Sequence, residues 1–206
     1  MFSRDGRDVL RTQALGDDDA RWFVERGFSA VQSLVMLRHD HVGLAPSGDD
    51  ALAPWTWRRL RSRRHAQVAD AVLAVDADSF APPWNMTRDA FAAACHATSD
   101  HVVFVDSRAG HPVAGFVLAG RSATNAYLQR LAVHPQARRR GIARNLARAA
   151  LAWAQRNGAT SSYVNTEPDN QPALALYASL GFVTNAQRLT VLERPAAAVP
   201  GGRGRR

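Results

Sequence analysis

The stretch from Leu128 to Gly158, LQRLAVHPQARRRGIARNLARAALAWAQRNG, constrains this chain more than any other. Tyr127 to Val133 reads as a strand, His134 and Pro135 break it, and a helix begins at about Ile142. Between them Arg138, Arg139 and Arg140 supply charge. Gly141 permits a main-chain bend that turns successive N–H groups toward an anion at the helix start. Ile142, Leu146, Ala149, Ala150 and Trp153 then recur at helical spacing, Arg156 sits in the last turn, and Gly158 is a C-terminal stop. Strand, anion loop and helix therefore run as one unit. An arginine cluster by itself is more often a solvated charged face, so the meaning of this one depends on its surroundings.

A chain of 206 residues suffices for one domain with a real core plus an appendage, and is short for two full domains. Its 46% hydrophobic content excludes wholesale disorder. No apolar run approaches the roughly 18 residues needed to cross a bilayer, and MFSRDGRDVLRTQ lacks the apolar core of a signal peptide. These features predict a cytoplasmic protein that does not engage membranes. The single cysteine, Cys95, excludes an internal disulfide and a cysteine-based metal cluster, and Ala92-Ala93-Ala94-Cys95 reads as a structural helix face. No metal is expected. All 26 basic residues are arginine, and the net charge of +8 favours phosphate-bearing partners. Much of that charge lies in Arg58 to Arg64 and in Arg203, Arg205 and Arg206, which keeps nucleic acid in play as a lesser alternative.

Two segments far apart in the chain share a pattern. Arg21-Trp22-Phe23-Val24-Glu25-Arg26-Gly27-Phe28, followed by Leu34 to Leu37, parallels Ala175-Leu176-Tyr177-Ala178-Ser179-Leu180-Gly181-Phe182, followed by Leu189 to Leu192. Each reads as helix, Gly-Phe, then hairpin. The first has Phe23 where the second has Tyr177 and no anion loop before it, so it is expected to be a catalytically silent appendage whose strands need a partner sheet in this domain or in a second subunit.

The remainder divides readily. Gly43, Pro46, Ser47, Gly48 and Pro54 mark a linker, which Trp55 and Trp57 anchor to the domain surface. Ala66 to Phe80 and Met86 to His96 read as helices, the second capped by Asn85 or Thr87, with Pro82-Pro83-Trp84 between them. Val102–Val105, 113–118 and 126–133 form an antiparallel meander. Ser161 to Asn165 is a strand, and Asp169 or Asn170 caps a last helix with Pro172 in its first turn and Gly181 at its end. Leu189 to Leu192 closes the sheet, and PAAAVPGGRGRR is a low-complexity tail.

Arg138-x-x-Gly141-x-Ala143 after a strand, followed by Asn170-x-x-Ala173-x-x-x-Tyr177-x-x-x-Gly181-Phe182, resembles the GNAT superfamily of N-acyltransferases over about residues 65 to 194. The helix-Phe-Pro-Trp-helix order resembles the branch of ribosomal-protein alanine N-acetyltransferases. The resemblance implies an α/β (α+β) fold. Its mixed, mostly antiparallel sheet would have about six to seven strands flanked by about four helices, with the N-terminal helix-hairpin as the remnant of a second such repeat. The implied organisation is remnant 1–42, arginine-rich linker 43–64, acetyltransferase domain 65–194 and basic tail 195–206.

By the same resemblance acetyl-CoA is the co-substrate. Its diphosphate would be held by Arg138, Arg139, Arg140, Gly141, Ile142 and Ala143, with Asn170 adding a contact. Its pantetheine amides would pair with the main chain of Leu131, Ala132 and Val133 on a strand parted from the next. Tyr177 would protonate the departing thiolate, and Trp84 would line the acceptor channel. The family branch has a glutamate base twelve positions before the tyrosine, which here is Asn165, an amide that accepts no proton at neutral pH. Asn165 is kept as an acceptor-lining residue, and Glu167, the nearest carboxylate, is the expected base.

Weak base assistance bears on the acceptor. A lysine amine with a reference pKa of about 10.4 is neutral in about one molecule in 2,500 at pH 7, and an α-amine near 7.8 in about one in seven. The expected partner is a primary amine of low pKa, on a protein N-terminus or a small molecule, with a homodimer left open. A non-catalytic acyl-CoA-binding module and an arginine-rich nucleic-acid-associated protein are the rival readings.

Overall fold

The computed structural model describes residues 2–4, 7–41, 52–107 and 112–196. In chain order the elements are β1 (Phe2–Arg4), β2 (Arg7–Arg11), α1 (Asp17–Val24), β3 (Ser29–Asp40), β4 (Pro54–Trp55), α2 (Trp57–Leu60), α3 (Ala66–Ser79), α4 (Arg88–His96), β5 (Asp100–Asp106), β6 (Gly115–Ser122), β7 (Asn125–Val133), α5 (Ile142–Arg156), β8 (Ser161–Thr166), α6 (Gln171–Ala178) and β9 (Val183–Pro195). Single 3-10 turns lie at Arg63–His65 and Pro135–Ala137. The strands form one sheet in the order β1-β2-β9-β3-β8-β7-β6-β5-β4. Every pairing is antiparallel except that of β7 with β8.

Local chemistry accounts for the boundaries. Thr87, not Asn85, caps α4, its hydroxyl accepting the Ala90 N–H at 3.1 Å. Asn170, not Asp169, caps α6, its Oδ1 accepting the Ala173 N–H at 3.2 Å with Pro172 in the first turn. Gly181 ends that helix at φ 87°, where only glycine sits without strain.

The sheet is covered on both faces. On one, Ile142, Leu146, Ala150 and Leu151 of α5 and Tyr177 of α6 pack with Val102, Val117, Leu128, Val164 and Leu37. On the other, Val72 and Val75 of α3 and Phe91 and Cys95 of α4 pack with Val103, Phe116, Leu118 and Ala132. Alternation along β5, β6 and β7 sends consecutive apolar residues to opposite cores, so these strands read as unbroken apolar runs.

The N-terminal segment departs from expectation. In place of a hairpin after Phe28 there is one twelve-residue strand, β3, and in place of a hairpin after Phe182 one thirteen-residue strand, β9. The two pair with each other, and β3 lies between β9 and β8 within the same sheet. No two-residue glycine turn interrupts either run, and their irregularities are absorbed as bulges between Ala30 and Gln32 and between Val35 and Leu37. A strand bonded on both edges needs no second subunit.

Residues 52–65 also fold onto the domain. β4 pairs with β5, Leu60 is fully buried, and Trp55 packs edge-on to His65 at 5.1 Å. The rest of the expected linker, residues 43–51, and the expected tail 195–206 from residue 197 onward lie outside the described residues.

Candidate active site

A wedge opens where the only parallel pair of the sheet fails to continue. β7 and β8 are in register at Asn125–Ser161, Ala126–Ser162 and Tyr127–Tyr163 and nowhere beyond. β7 stays bonded to β6 as far as Val133, while β8 continues along β3 as far as Thr166. The His134 N–H donates to the Ala114 carbonyl at 2.9 Å, and the Ala132 carbonyl faces Gly115. By strand alternation the main-chain N–H groups of Leu131 and Val133 therefore point into the wedge, and those of Ala132 point away from it. The Val133 carbonyl is occupied, accepting from the Ser79 hydroxyl and from Arg138 Nε, both at 3.3 Å.

The anion loop follows at once. Arg139 and Gly141 both adopt left-handed backbone, at φ 64° and 78°. A Cβ on Gly141 would meet nothing within 4 Å, so glycine is required here for its backbone freedom and not for space. No side chain caps α5. Its first N–H groups, those of Ile142 and Ala143 included, face outward with the positive end of the helix dipole behind them. Ile142 is buried as the anchor of the helix, and Arg138, Arg139 and Arg140 are exposed around its start. This cradle suits a diphosphate, and the free strand edge beside it suits an extended chain of amides.

Tyr177 is buried on α6 and packs edge-on to Phe182 at 5.5 Å, in the same apolar cluster as Leu131 of β7 and Val164 of β8. It therefore belongs to the core on the α5 side of the sheet. Burial pushes its phenol up to about 12, so it holds its proton throughout the neutral range. Cys95 is likewise pushed up to about 12 by burial among the α3 and α4 side chains, which leaves it an inert thiol far from the thiolate range.

The remaining expected residues are dispersed more widely. Asn170 Oδ1 is taken by the α6 cap. Asn165 is exposed on β8, paired in register with Met36 of β3. Glu167 is exposed just past β8, where its carboxylate accepts a hydrogen bond from Gln32 Nε2 at 2.6 Å. Trp84 is half-buried between α3 and α4.

Two residues at this site were missed in the sequence. Asp76 of α3 is completely buried and receives Arg130 of β7 through both oxygens, at 2.6 and 2.9 Å. Arg130 also donates to the Trp84 carbonyl at 2.7 Å and lies 3.4 Å from the centre of the Phe80 ring. Asp76 in turn accepts the Met86 N–H at 2.6 Å. This pair fixes the loop 80–87. The available signal was an acid interrupting the apolar stripe of one helix and an arginine interrupting an apolar strand, each of which requires a buried partner. Among the described residues no group of three His, Cys, Asp or Glu is placed to hold a metal, and no helix is long and apolar enough to cross a membrane.

The profile of the Acetyltransferase (GNAT) family matches residues 69–182, just over half of the chain. Solved structures of similar fold include a GNAT-family protein from Novosphingobium aromaticivorans, 18% identical with a TM-score of 0.62 over 83% of this chain and 69% of that one. A tandem GNAT protein from the clavulanic acid biosynthesis pathway is 15% identical with a TM-score of 0.60, over 93% of this chain and 65% of that one. The ribosomal-protein-S18-alanine N-acetyltransferase from Escherichia coli is 19% identical with a TM-score of 0.54, over 73% of this chain and 97% of that one.

Proposed function

The chain belongs to the GNAT family of acetyltransferases, and on that premise we propose that it moves an acetyl group from acetyl-CoA directly to a primary amine, with Tyr177 as the acid. The observation that carries this reading is the parting of β7 from β8 after three residue pairs, with the uncapped start of α5 at one end of the opening; Tyr177, in the same apolar cluster as residues of both strands, supports it. Bound there, the co-substrate supplies an acyl thioester. The arginine-glycine turn and the first N–H groups of α5 neutralise its phosphates. The N–H groups of Leu131 and Val133 orient its amide chain, and one of them polarises the thioester carbonyl. The Tyr177 hydroxyl supplies a proton to sulfur as the carbon–sulfur bond breaks.

The amine has to approach from the face that the co-substrate leaves free. α5 and α6 lie on one face, so the acceptor face is the opposite one, where Asn165 and Glu167 project and where the loop 80–87 carries Trp84. Glu167 removes the ammonium proton. It stands in solvent, and an exposed carboxylate is a weak base for a lysine ammonium, so the reading favours an α-amine, whose proton is lost near neutral pH.

The test is thiol release from acetyl-CoA with a panel that pairs free α-amine peptides against an Nα-blocked lysine. Stimulation by the α-amine peptides, abolished in Tyr177→Phe, is the expected result. Calorimetric binding of acetyl-CoA without turnover on any amine would leave a sensor in place of an enzyme. Absence of binding would remove both.

A further inference from the structure

The acceptor face is not made by residues 65–194 alone. Register and burial place Gln32, Leu34 and Met36 of β3 on the same side of the sheet as Leu189, Val191 and Glu193 of β9 and Asn165 of β8, because paired residues share a face and Leu37 and Val164 are committed to the α5 side. The bulge between Ala30 and Gln32 lies before this run, so the alternation from Gln32 to Met36 is unbroken. From there its amide reaches Glu167 at 2.6 Å.

A second N-terminal residue meets the same face from above. Arg11 of β2 pairs with Glu193 of β9, lies with its guanidinium carbon 4.5 Å from the centre of the Trp84 ring, and directs an N–H at the Pro83 carbonyl at 3.5 Å. Its side chain is only 7% exposed, so these contacts confine it. Trp84 is thus held from two sides, its carbonyl by Arg130 and its ring by Arg11. Arg130 is on β7 and Arg11 on β2, with β8, β3 and β9 between them in the sheet. The loop 80–87 consequently passes as a roof over the very strands that bear Asn165, Gln32 and Glu193.

We propose that residues 7–40 complete the acceptor site, with Arg11 positioning Trp84 and Gln32 positioning Glu167. Both are positioning residues, since neither needs to touch the reacting atoms. The inference rests on the reading above that the amine binds on this face and that Glu167 is its base. On that reading the N-terminal segment, far from being a silent appendage, sets how the acceptor is held while leaving the co-substrate cradle untouched.

The experiment uses the full chain and the panel amine that the wild type acetylates fastest. Arg11→Lys keeps a charge for Glu193 but not a planar group for Trp84, and Gln32→Ala removes the donor to Glu167. Each is expected to lower kcat/KM for the amine by about tenfold to a hundredfold, as displaced positioning groups do, with the calorimetric affinity for acetyl-CoA unchanged. Gln32→Glu, at a half-exposed position that folding tolerates, sets a second carboxylate against Glu167. Like charges favour protonation of one of them, so the acidic limb of the pH profile of kcat/KM should move to higher pH. Unchanged amine kinetics together with an unmoved limb would overturn the proposal. So would a loss shared equally by amine and acetyl-CoA and tracking thermal stability, which marks a purely structural role. If the wild type acetylates amines and Tyr177→Phe silences it while these variants behave as wild type, this inference fails and the enzyme reading stands. If the wild type acetylates nothing, the enzyme reading itself fails.

Discussion

In β8-α6-β9 and in β2-α1-β3 a strand leads into an eight-residue helix, a left-handed glycine, a phenylalanine and a long strand. The correspondence extends to single hydrogen bonds. The Phe182 N–H donates to the Tyr177 carbonyl at 3.0 Å, and the Phe28 N–H to the Phe23 carbonyl at 3.2 Å. The Gly181 N–H reaches Ala178, and the Gly27 N–H reaches Val24, both at 3.0 Å. Tyr177 and Phe182 meet edge-on, as do Phe23 and Phe28. The long strands β9 and β3 pair antiparallel, so each unit supplies a neighbour for the other. The differences are chemical. Only the C-terminal unit stands beside a parted strand and an anion loop, has a side-chain cap on its helix, and carries a hydroxyl at the buried ring. In α1 the cap is Gly16 with no side-chain bond and the ring is Phe23. On the function proposed above, one backbone plan serves chemistry in one unit and sheet completion in the other, and a single oxygen atom together with its neighbours separates the two roles.

The sharpest way to break that comparison is to exchange the rings. Tyr177→Phe should lower kcat by about a hundredfold to ten-thousandfold, the usual contribution of a general acid. Phe23→Tyr should leave the rate as it was, because no wedge opens beside α1. Thiol-release assays on both variants decide it, and a Tyr177→Phe enzyme within twofold of wild type would end the distinction. Next in size is packing. Phe182 is buried and Phe28 only half-buried, so Phe182→Ala should cost about 3–5 kcal/mol and Phe28→Ala clearly less, measured as shifts in denaturant midpoint. Equal losses would mean that the two units contribute alike to the core.

Smaller effects sharpen the picture at the helix ends. Gly181→Ala and Gly27→Ala each force a methyl-bearing residue into left-handed backbone at φ 87° and 80° and should each cost about 1–2 kcal/mol. Neither new Cβ would clash, the nearest atoms lying 3.4 Å away in His39 and 3.8 Å away in Arg194, so the two losses should be similar. The smallest effect is that of acid. His39 on β3 and His41 just past its end are buried, and desolvation lowers both below the ordinary 6.5. A histidine with a lowered folded pKa is neutral in the native state and takes up its proton more readily once unfolded, so its contribution is present above pH 6.5 and is lost as pH falls below it. Chemical denaturation at pH 7.5 and pH 5.5 should show the decline, and His39→Gln should blunt it.

Much of the site was legible before any coordinates. Gly141 declared a left-handed turn because no other residue takes that conformation freely between a strand and a helix, and Asn170, Pro172 and Gly181 marked both ends of α6 through local capping chemistry. The meander followed from apolar runs between turn residues, whereas the readings of the loop before α5 and of Tyr177 rested on motifs by which the chain resembles a known family. Illegible were the contacts between residues distant in sequence. Asp76 and Arg130 each looked like an isolated interruption, and Arg11 and Gln32 belonged to a segment whose partner sheet was left open between this domain and a second subunit. The expected hairpins failed for a related reason: within one segment a run of β-formers does not reveal that its partner strand lies more than a hundred residues away.

The sequence by itself determined the strand-loop-helix that can grip an anion, the phenol on the last helix and the family to which the chain belongs. The first depends on conformational preferences confined to a few consecutive residues, and the other two on the motifs from Arg138 to Phe182 by which the chain resembles that family. Only the tertiary structure decided that β3 enters the sheet between β8 and β9, that Trp84 is held by arginines from two strands, β7 and β2, with three others between them, and that Glu167 meets Gln32. Those outcomes depend on which long-range pairing leaves the fewest strand edges and buried charges unsatisfied, a competition settled over the whole chain at once.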